Sequence, residues 1–167
     1  GLFRLFPQIY ITPGTELTEV DMPSEAGMMV RREVVNEVGL LDDRFFMFGE
    51  GADWCRRIKA AGWKIVYYAG CPVIHFGGTT NKRSSLKMYV QFYKSTYLFF
   101  QKESRFKSAV YRGLLMAVFG GKKVLLWVGA KISPGNKAHY EEMKPYYDAM
   151  LDYLLNRFHD ADYPYPA

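Results

Sequence analysis

The stretch "FFMFGEGADWCRR", residues 45–57, decides how the rest of the chain is read. Glu50 and Asp53 lie three residues apart, one turn of a helix, and Arg57 lies one turn further on. Gly49 and Gly51 flank Glu50. Aromatic residues precede it and two arginines close the stretch. Beyond Glu50, Trp54, Ile58 and Ala61 fall on one side of a helix, and Gly62 is a natural stop. Spacing alone supports a structural role, because acids in a first turn complement the helix dipole and Asp53 can pair with Arg57. A chemical role is also open. A carboxylate held beside a substrate hydroxyl can take its proton, and glycine-flanked backbone lets a substrate come close.

Working outward, residues 1–25 read as loop, punctuated by Pro7, Pro13, Gly14 and Pro23. "AGMMVRR" (26–32) reads as a short buried strand ending in two cations, and "REVVNEVG" (32–39) as a short helix stopped by Gly39. "WKIVYYA" (63–69) is the clearest strand, β-branched and aromatic. "CPVIHFGG" (71–78) reads as a second extended piece that sets His75 before two glycines, a place from which an imidazole could reach a ligand or metal. Helices are expected at 85–102, 105–119 and 122–131, the last two separated by Gly120 and Gly121. Neither apolar piece reaches the roughly 20 residues of a transmembrane helix. On a membrane surface, Leu114, Leu115, Phe119, Leu126 and Trp127 would dip in; packed in a core, the same pieces would form a helical hairpin. "SPGNK" (133–137) reads as a linker, and a last helix is expected to begin near Pro145. Its stripe would be Tyr147, Leu151, Leu154, Leu155 and Phe158.

Composition bounds the rest. The 167 residues are 49% hydrophobic and 17% aromatic, enough for a real core and against intrinsic disorder. "GLFRLFPQIY" lacks an apolar run followed by a small-residue cleavage site, so Cys55 and Cys71 are expected as free thiols in a cytoplasmic protein. No CxxC or Cys/His cluster points to zinc. Charge is uneven. Residues 82–131 hold eleven Lys or Arg and one acid, Glu103, so +10 of a total of +5 lies there and the remainder carries −5. An aromatic basic segment suits an anionic partner: a nucleotide, a lipid phosphate or a membrane surface. No helix-turn-helix, RNA-recognition or zinc motif accompanies it, so no nucleic acid is expected.

Taken together, "SEAGMMVRREVVNEVGLLDDRFFMFGEGADWCRRIKAAGWKIVYYAGCPVIHFGG" (24–78) resembles the C-terminal half of the catalytic domain of family-two, GT-A type glycosyltransferases, closest to the bacterial rhamnosyltransferase-like branch. "YVQFYKSTYLFFQK" (89–102) is similar to the helix that follows there. The resemblance covers roughly residues 20–102. It implies an α/β fold: the C-terminal part of a GT-A (nucleotide-diphospho-sugar transferase) mixed sheet with flanking helices, over residues 1–104, then a helical C-terminal tail over 105–167 that lies on a membrane or contacts another subunit. It implies inverting transfer of a sugar from a dTDP- or UDP-sugar to a polysaccharide or lipid-linked acceptor, with Mg or Mn as divalent metal; the +10 segment from Lys82 to Lys131 is then expected to dock at the inner face of the membrane.

The site residues follow position by position. Glu50 or Asp53 would be the base; His75 would serve the metal or diphosphate. Arg31, Arg32 and Lys102 would bind phosphate, and Glu25 and Trp54 would belong to the substrate pocket. Asp42 would be structural. Two positions depart from the pattern. Gly51 stands where the family's usual base, an Asp, is expected. Glu25 stands where a small Gly is usual, and it reshapes that pocket or supplies a carboxylate. No acidic Asp-x-Asp motif and no first nucleotide-binding strand precede Val20. The chain is therefore expected to be a piece that needs its missing N-terminal half or a partner chain, and to be inactive alone. A non-catalytic carbohydrate-binding or assembly module is the alternative.

Overall fold

A computed structural model describes residues 17–71, 73 and 86–157. These residues fall into two compact units. The first takes in 17–41 and 51–73, the second 42–50 and 86–157.

In the first unit, β1 (Leu17–Glu19) pairs antiparallel with β2 (Val66–Tyr68), Leu17 opposite Tyr68. Among the described residues this two-stranded ribbon is the whole sheet; a larger mixed sheet is not seen. β2 lies inside the expected 63–69 strand, whereas β1 arises in a stretch read as loop. The expected strand at 26–32 does not form. Ser24 Oγ accepts from the Ala26 N–H and starts a single 3-10 turn, Glu25–Gly27. The chain then runs extended without joining the ribbon: Met28 and Val30 pack inward while Met29 is 98% exposed. The alternation expected of a strand is present, but the ladder partner is not.

α1 (Arg32–Val38) stops at Gly39, whose φ of +76° is a left-handed value that favours glycine. α2 (Glu50–Ala60) starts at the acid expected to start it. Val34, Cys55, Ile58 and Ile65 form the core of this unit, flanked by Trp54 and Trp63. Burying such side chains contributes about 1.5–3 kcal/mol each.

The second unit is a three-helix assembly of α3 (Leu86–Glu103), α4 (Arg105–Ile132) and α5 (Gly135–Leu154). α3 agrees with the expected helix. Ser104 divides it from α4, its Oγ accepting from the N–H groups of Phe106 and Lys107. α4 corrects the two-helix reading, because it runs unbroken through Gly120 and Gly121 for 28 residues. Two glycines cost about 1 kcal/mol each in helix propensity. Burial of Leu115 and Phe119, in the turns just before the pair, outweighs that. The continuous helix is also long and apolar enough to cross a membrane by length and composition, which neither separate piece was.

α5 begins ten residues before Pro145, which lies inside it. Proline there deprives the Glu141 carbonyl of its usual donor, but position 145 is exposed and water can supply one. The core of the unit is Val90, Leu115, Phe119, Tyr147, Ala149, Met150 and Leu154, with edge-to-face rings of Tyr89, Tyr93 and Phe119 beside it. Of the residues expected to dip into a membrane, Leu115 and Phe119 are therefore core, and Leu126 packs against them. Phe158 lies outside the described residues.

Candidate functional site

The entrance to α2 is set by a loop, residues 42–50. Asp42 accepts from Arg44 (Nε at 2.9 Å, Nη2 at 2.7 Å) and from Lys102 Nζ at 2.6 Å. Lys102 also lies 5.5 Å above the Phe45 ring. Ser95 Oγ donates to the Met47 carbonyl at 2.7 Å, and Phe48 packs edge-on against Phe92. The loop then turns sharply: Phe48 and Gly49 have φ of +67° and +86°. A left-handed non-glycine residue carries strain, held here by the Phe92 contact and Ser95 bond around it. Glu50 follows. Its Oε2 is buried and has no hydrogen-bond partner among the described residues.

The Asp42 contacts make a pH prediction. The Arg44 hydrogen bond first, and the Lys102 bond second, hold its carboxyl well below the usual carboxylate range. A depressed folded pKa stabilises the fold above the unfolded value of about 3.9, and that stability is lost as pH falls toward the folded value. Urea midpoints should therefore drop steeply below about pH 4, and Asp42→Asn should flatten that drop while lowering the midpoint at pH 7. An Asp42→Asn chain that keeps the full acid dependence would assign the effect to other carboxylates.

Asp53 has a different environment. Its side chain is 0% exposed, and both oxygens are taken: Oδ2 by Arg57 Nε at 2.9 Å, Oδ1 by Arg56 Nη2 at 3.1 Å. Arg57 continues the network by donating to the carbonyls of Val38 and Leu40, and Trp54 Nε1 donates to the Gly39 carbonyl at 2.9 Å. Side chains of α2 thus satisfy three carbonyls at the end of α1, groups a helix leaves without partners. Arg57 was not picked out as a functional residue. Only its spacing from Asp53 hinted at this role.

The remaining predicted residues are separate from this network. Glu25 is exposed on the 3-10 turn, with its carboxylate against Gly51. Arg31 and Arg32 are exposed at the N-terminus of α1, where positive charge opposes the helix dipole. Their presence there gains nothing for helix stability. His75 lies outside the described residues. Among the described residues no three His, Cys, Asp or Glu side chains are grouped to hold a metal. Cys55 is buried and Cys71 exposed, both free. In the second unit an open groove of about 570 Å³ is lined by Arg44, Lys87, Gln91, Lys94 and Tyr97 among others. It is basic, which suits an anion, but contains none of the predicted site residues.

Comparison with known proteins places these features. Residues 14–93 match the family described as glycosyltransferase like family 2. Two curated relatives, each named N-acetylglucosaminyl-diphospho-decaprenol L-rhamnosyltransferase, come from Mycobacterium tuberculosis strains CDC 1551 / Oshkosh and ATCC 25618 / H37Rv. Each is 35% identical over 72 residues, 43% of this chain and 24% of the relative. The chain thus spans about a quarter of the length of the curated relatives it matches. No solved structure matches. Members of this family commonly use divalent metals. Residues 14–93, with the α2 entrance at their centre, are thus similar to glycosyltransferase family 2, and 72 residues of the chain are similar to the two rhamnosyltransferases.

Proposed function

We propose that the protein transfers a sugar, with inversion, from a dTDP- or UDP-sugar to a saccharide or lipid-linked acceptor. The observation that carries this reading is the family match across the loop and helix that present the acids. A carboxylate at the mouth of α2 takes the acceptor's proton as its oxygen attacks the sugar carbon. Of the two acids in the helix, Asp53 is enclosed by its ion pairs, which leaves Glu50. Arg31 and Arg32 suit the diphosphate, and Trp54 offers a half-buried ring to the sugar. Lys102 would have to share its contact with Asp42 to reach a phosphate. The described residues form no metal cage. A divalent cation would rest on the donor's own phosphates and on residues such as His75, where it would offset the charge of the leaving diphosphate.

The same reading puts residues 1–104 in the catalytic domain and gives 105–167 a membrane-facing role at the cytoplasmic surface. One face of α4 is committed to α3 and α5. The other carries Val110, Leu114, Val118, Leu125, Val128 and Ile132 in a stripe at helical spacing, all exposed. Exposed Arg105, Lys107, Lys122 and Lys131 border it, which suits an anionic lipid surface. Lys123 is turned inward to Asp148, so it does not interrupt the stripe. A helix packed on one side against polar α5 lies on a membrane rather than across it.

Calorimetric titration with dTDP and UDP, with and without Mn²⁺, followed by transfer of label from dTDP-rhamnose to an N-acetylglucosaminyl-diphospho-lipid, tests the proposal. Micromolar to millimolar nucleotide binding and labelled lipid are expected. A non-catalytic module, favoured by Gly51 and by the enclosure of Asp53, would bind saccharide and release no nucleotide.

A further inference from the structure

The backbone that leads into Glu50 is held by a single turn of α3. Ser95 is 2% exposed, and its hydroxyl is used twice: it accepts from Gln91 Nε2 at 3.0 Å and donates to the Met47 carbonyl at 2.7 Å. The Gln91 bond occupies a lone pair and leaves the hydroxyl hydrogen for Met47. Phe92, three residues before Ser95 and so on the same face of α3, takes the Phe48 ring edge-on. Gly49 lies against the same serine: a Cβ there would be 3.6 Å from Ser95 Cβ and 3.3 Å from the Phe45 ring. Residues 47, 48 and 49 are thus fixed in succession from one patch of helix. Two of them are left-handed, with φ of +67° at Phe48 and +86° at Gly49, and a phenylalanine keeps that conformation only where its surroundings impose it. Glu50 comes next in the chain, so the direction in which its side chain leaves the backbone follows from this turn. Met47 to Glu50 and Ser95 belong to the same compact unit.

We propose that Ser95 is a positioning residue for sugar transfer: by holding the Met47 carbonyl it fixes the left-handed turn that aims Glu50 at the acceptor. This rests on the sugar-transfer reading above, in which Glu50 takes the acceptor's proton. Ser95 acts through the backbone and not on the substrate. A general base works only within hydrogen-bond reach of the proton it takes, and a misplacement of about 1 Å costs up to about a hundredfold in rate. Glu50 Oε2 is buried and has no hydrogen-bond partner among the described residues, so no bond to that oxygen sets its place and the turn must. Without the Ser95 hydroxyl the Met47 carbonyl loses its donor, and Phe48 is freer to relax toward an ordinary φ. The carboxylate then moves with the backbone that carries it.

Two measurements test this. The first is limited proteolysis by chymotrypsin at Phe46 and Phe48 in the chain carrying Ser95→Ala, with Ser108→Ala as the control. Ser108 is also a buried serine, but its hydroxyl donates to the Arg105 carbonyl within α4. Ser95→Ala should speed cleavage in the loop about tenfold, and Ser108→Ala should leave it within about twofold. A loop cleaved no faster in Ser95→Ala than in Ser108→Ala would overturn the hold on the turn. The second is transfer from dTDP-rhamnose by the protein carrying this sequence. Ser95→Ala should lower kcat about ten- to a hundredfold with KM little changed, and Ser108→Ala should retain it. In a Glu50→Gln background, Ser95→Ala should lower kcat by less than about twofold further, because the group it aims is already gone. Full kcat in Ser95→Ala, or an undiminished further loss in the Glu50→Gln background, would overturn the positioning role and leave sugar transfer standing. Absence of transfer by the unaltered protein would overturn both, and the proteolysis would still judge the hold on the turn.

Discussion

Asp53→Ala is expected to destabilise the first unit by about 3 kcal/mol, within the range for breaking a buried pair by removing one partner. The side chain has no exposed surface, and its two oxygens hold two guanidinium groups. Removing it leaves those charges to find water. Arg57 keeps the carbonyls of Val38 and Leu40, and Arg56 is a third exposed, so the cost should fall at the lower end of the range. Asp53→Asn keeps the shape but loses the charge, and an amide NH₂ would face a guanidinium; it too should be destabilised, by less. The measurement is a urea titration at pH 7 followed by tryptophan fluorescence, since Trp54 and Trp63 flank this core. An Asp53→Asn chain of unchanged stability that had lost activity would identify a catalytic acid instead. The ion-pair network predicts the reverse order, with stability lost first.

The second large effect concerns α4. Leu125 is 72% and Trp127 50% exposed, on the two flanks of α4 to either side of Leu126, which packs against the core. Transfer of each such side chain from water to lipid contributes about 1.5–3 kcal/mol. Replacing both with Ser should lower binding to anionic vesicles by about a hundredfold or more, at little cost in folding stability because neither belongs to the core. Lys131 lies 5.9 Å from the Trp127 ring and would sit at the headgroups above it. Vesicle co-sedimentation at low salt, with phosphatidylglycerol and with neutral lipid, is the measurement. If the unaltered chain ignored anionic vesicles, the exposed stripe would need a protein partner instead.

Much of this was legible along the chain, for identifiable reasons. Apolar spacing located α1, α2 and α3 to within a residue or two, because helix periodicity is a local property. The family pattern across residues 24–78 was legible because it is carried by the order of short motifs, which needs no knowledge of contacts. Ser104 marked a boundary by its capping chemistry, whereas Gly120 and Gly121 marked none. A glycine breaks a helix only when no packing compensates, and Leu115 and Phe119 compensate here. Pro145 misled for the same reason: its preference for a first turn yielded to the packing of α5 on α4.

The acids show the limit most clearly. Spacing placed Glu50 and Asp53 on one helix and Arg57 a turn beyond, and it correctly allowed the Asp53–Arg57 pair. It could not tell that Arg57 also reaches the end of α1, 17 and 19 residues back, and so encloses Asp53. Nor could any periodicity bring Glu25 onto Gly51. Residue type and local rhythm settle which helices form and which family pattern they carry. Which carboxylate is enclosed and which lies at the surface depends on contacts between distant segments, because burial and ion pairing belong to the folded surroundings and not to the residue.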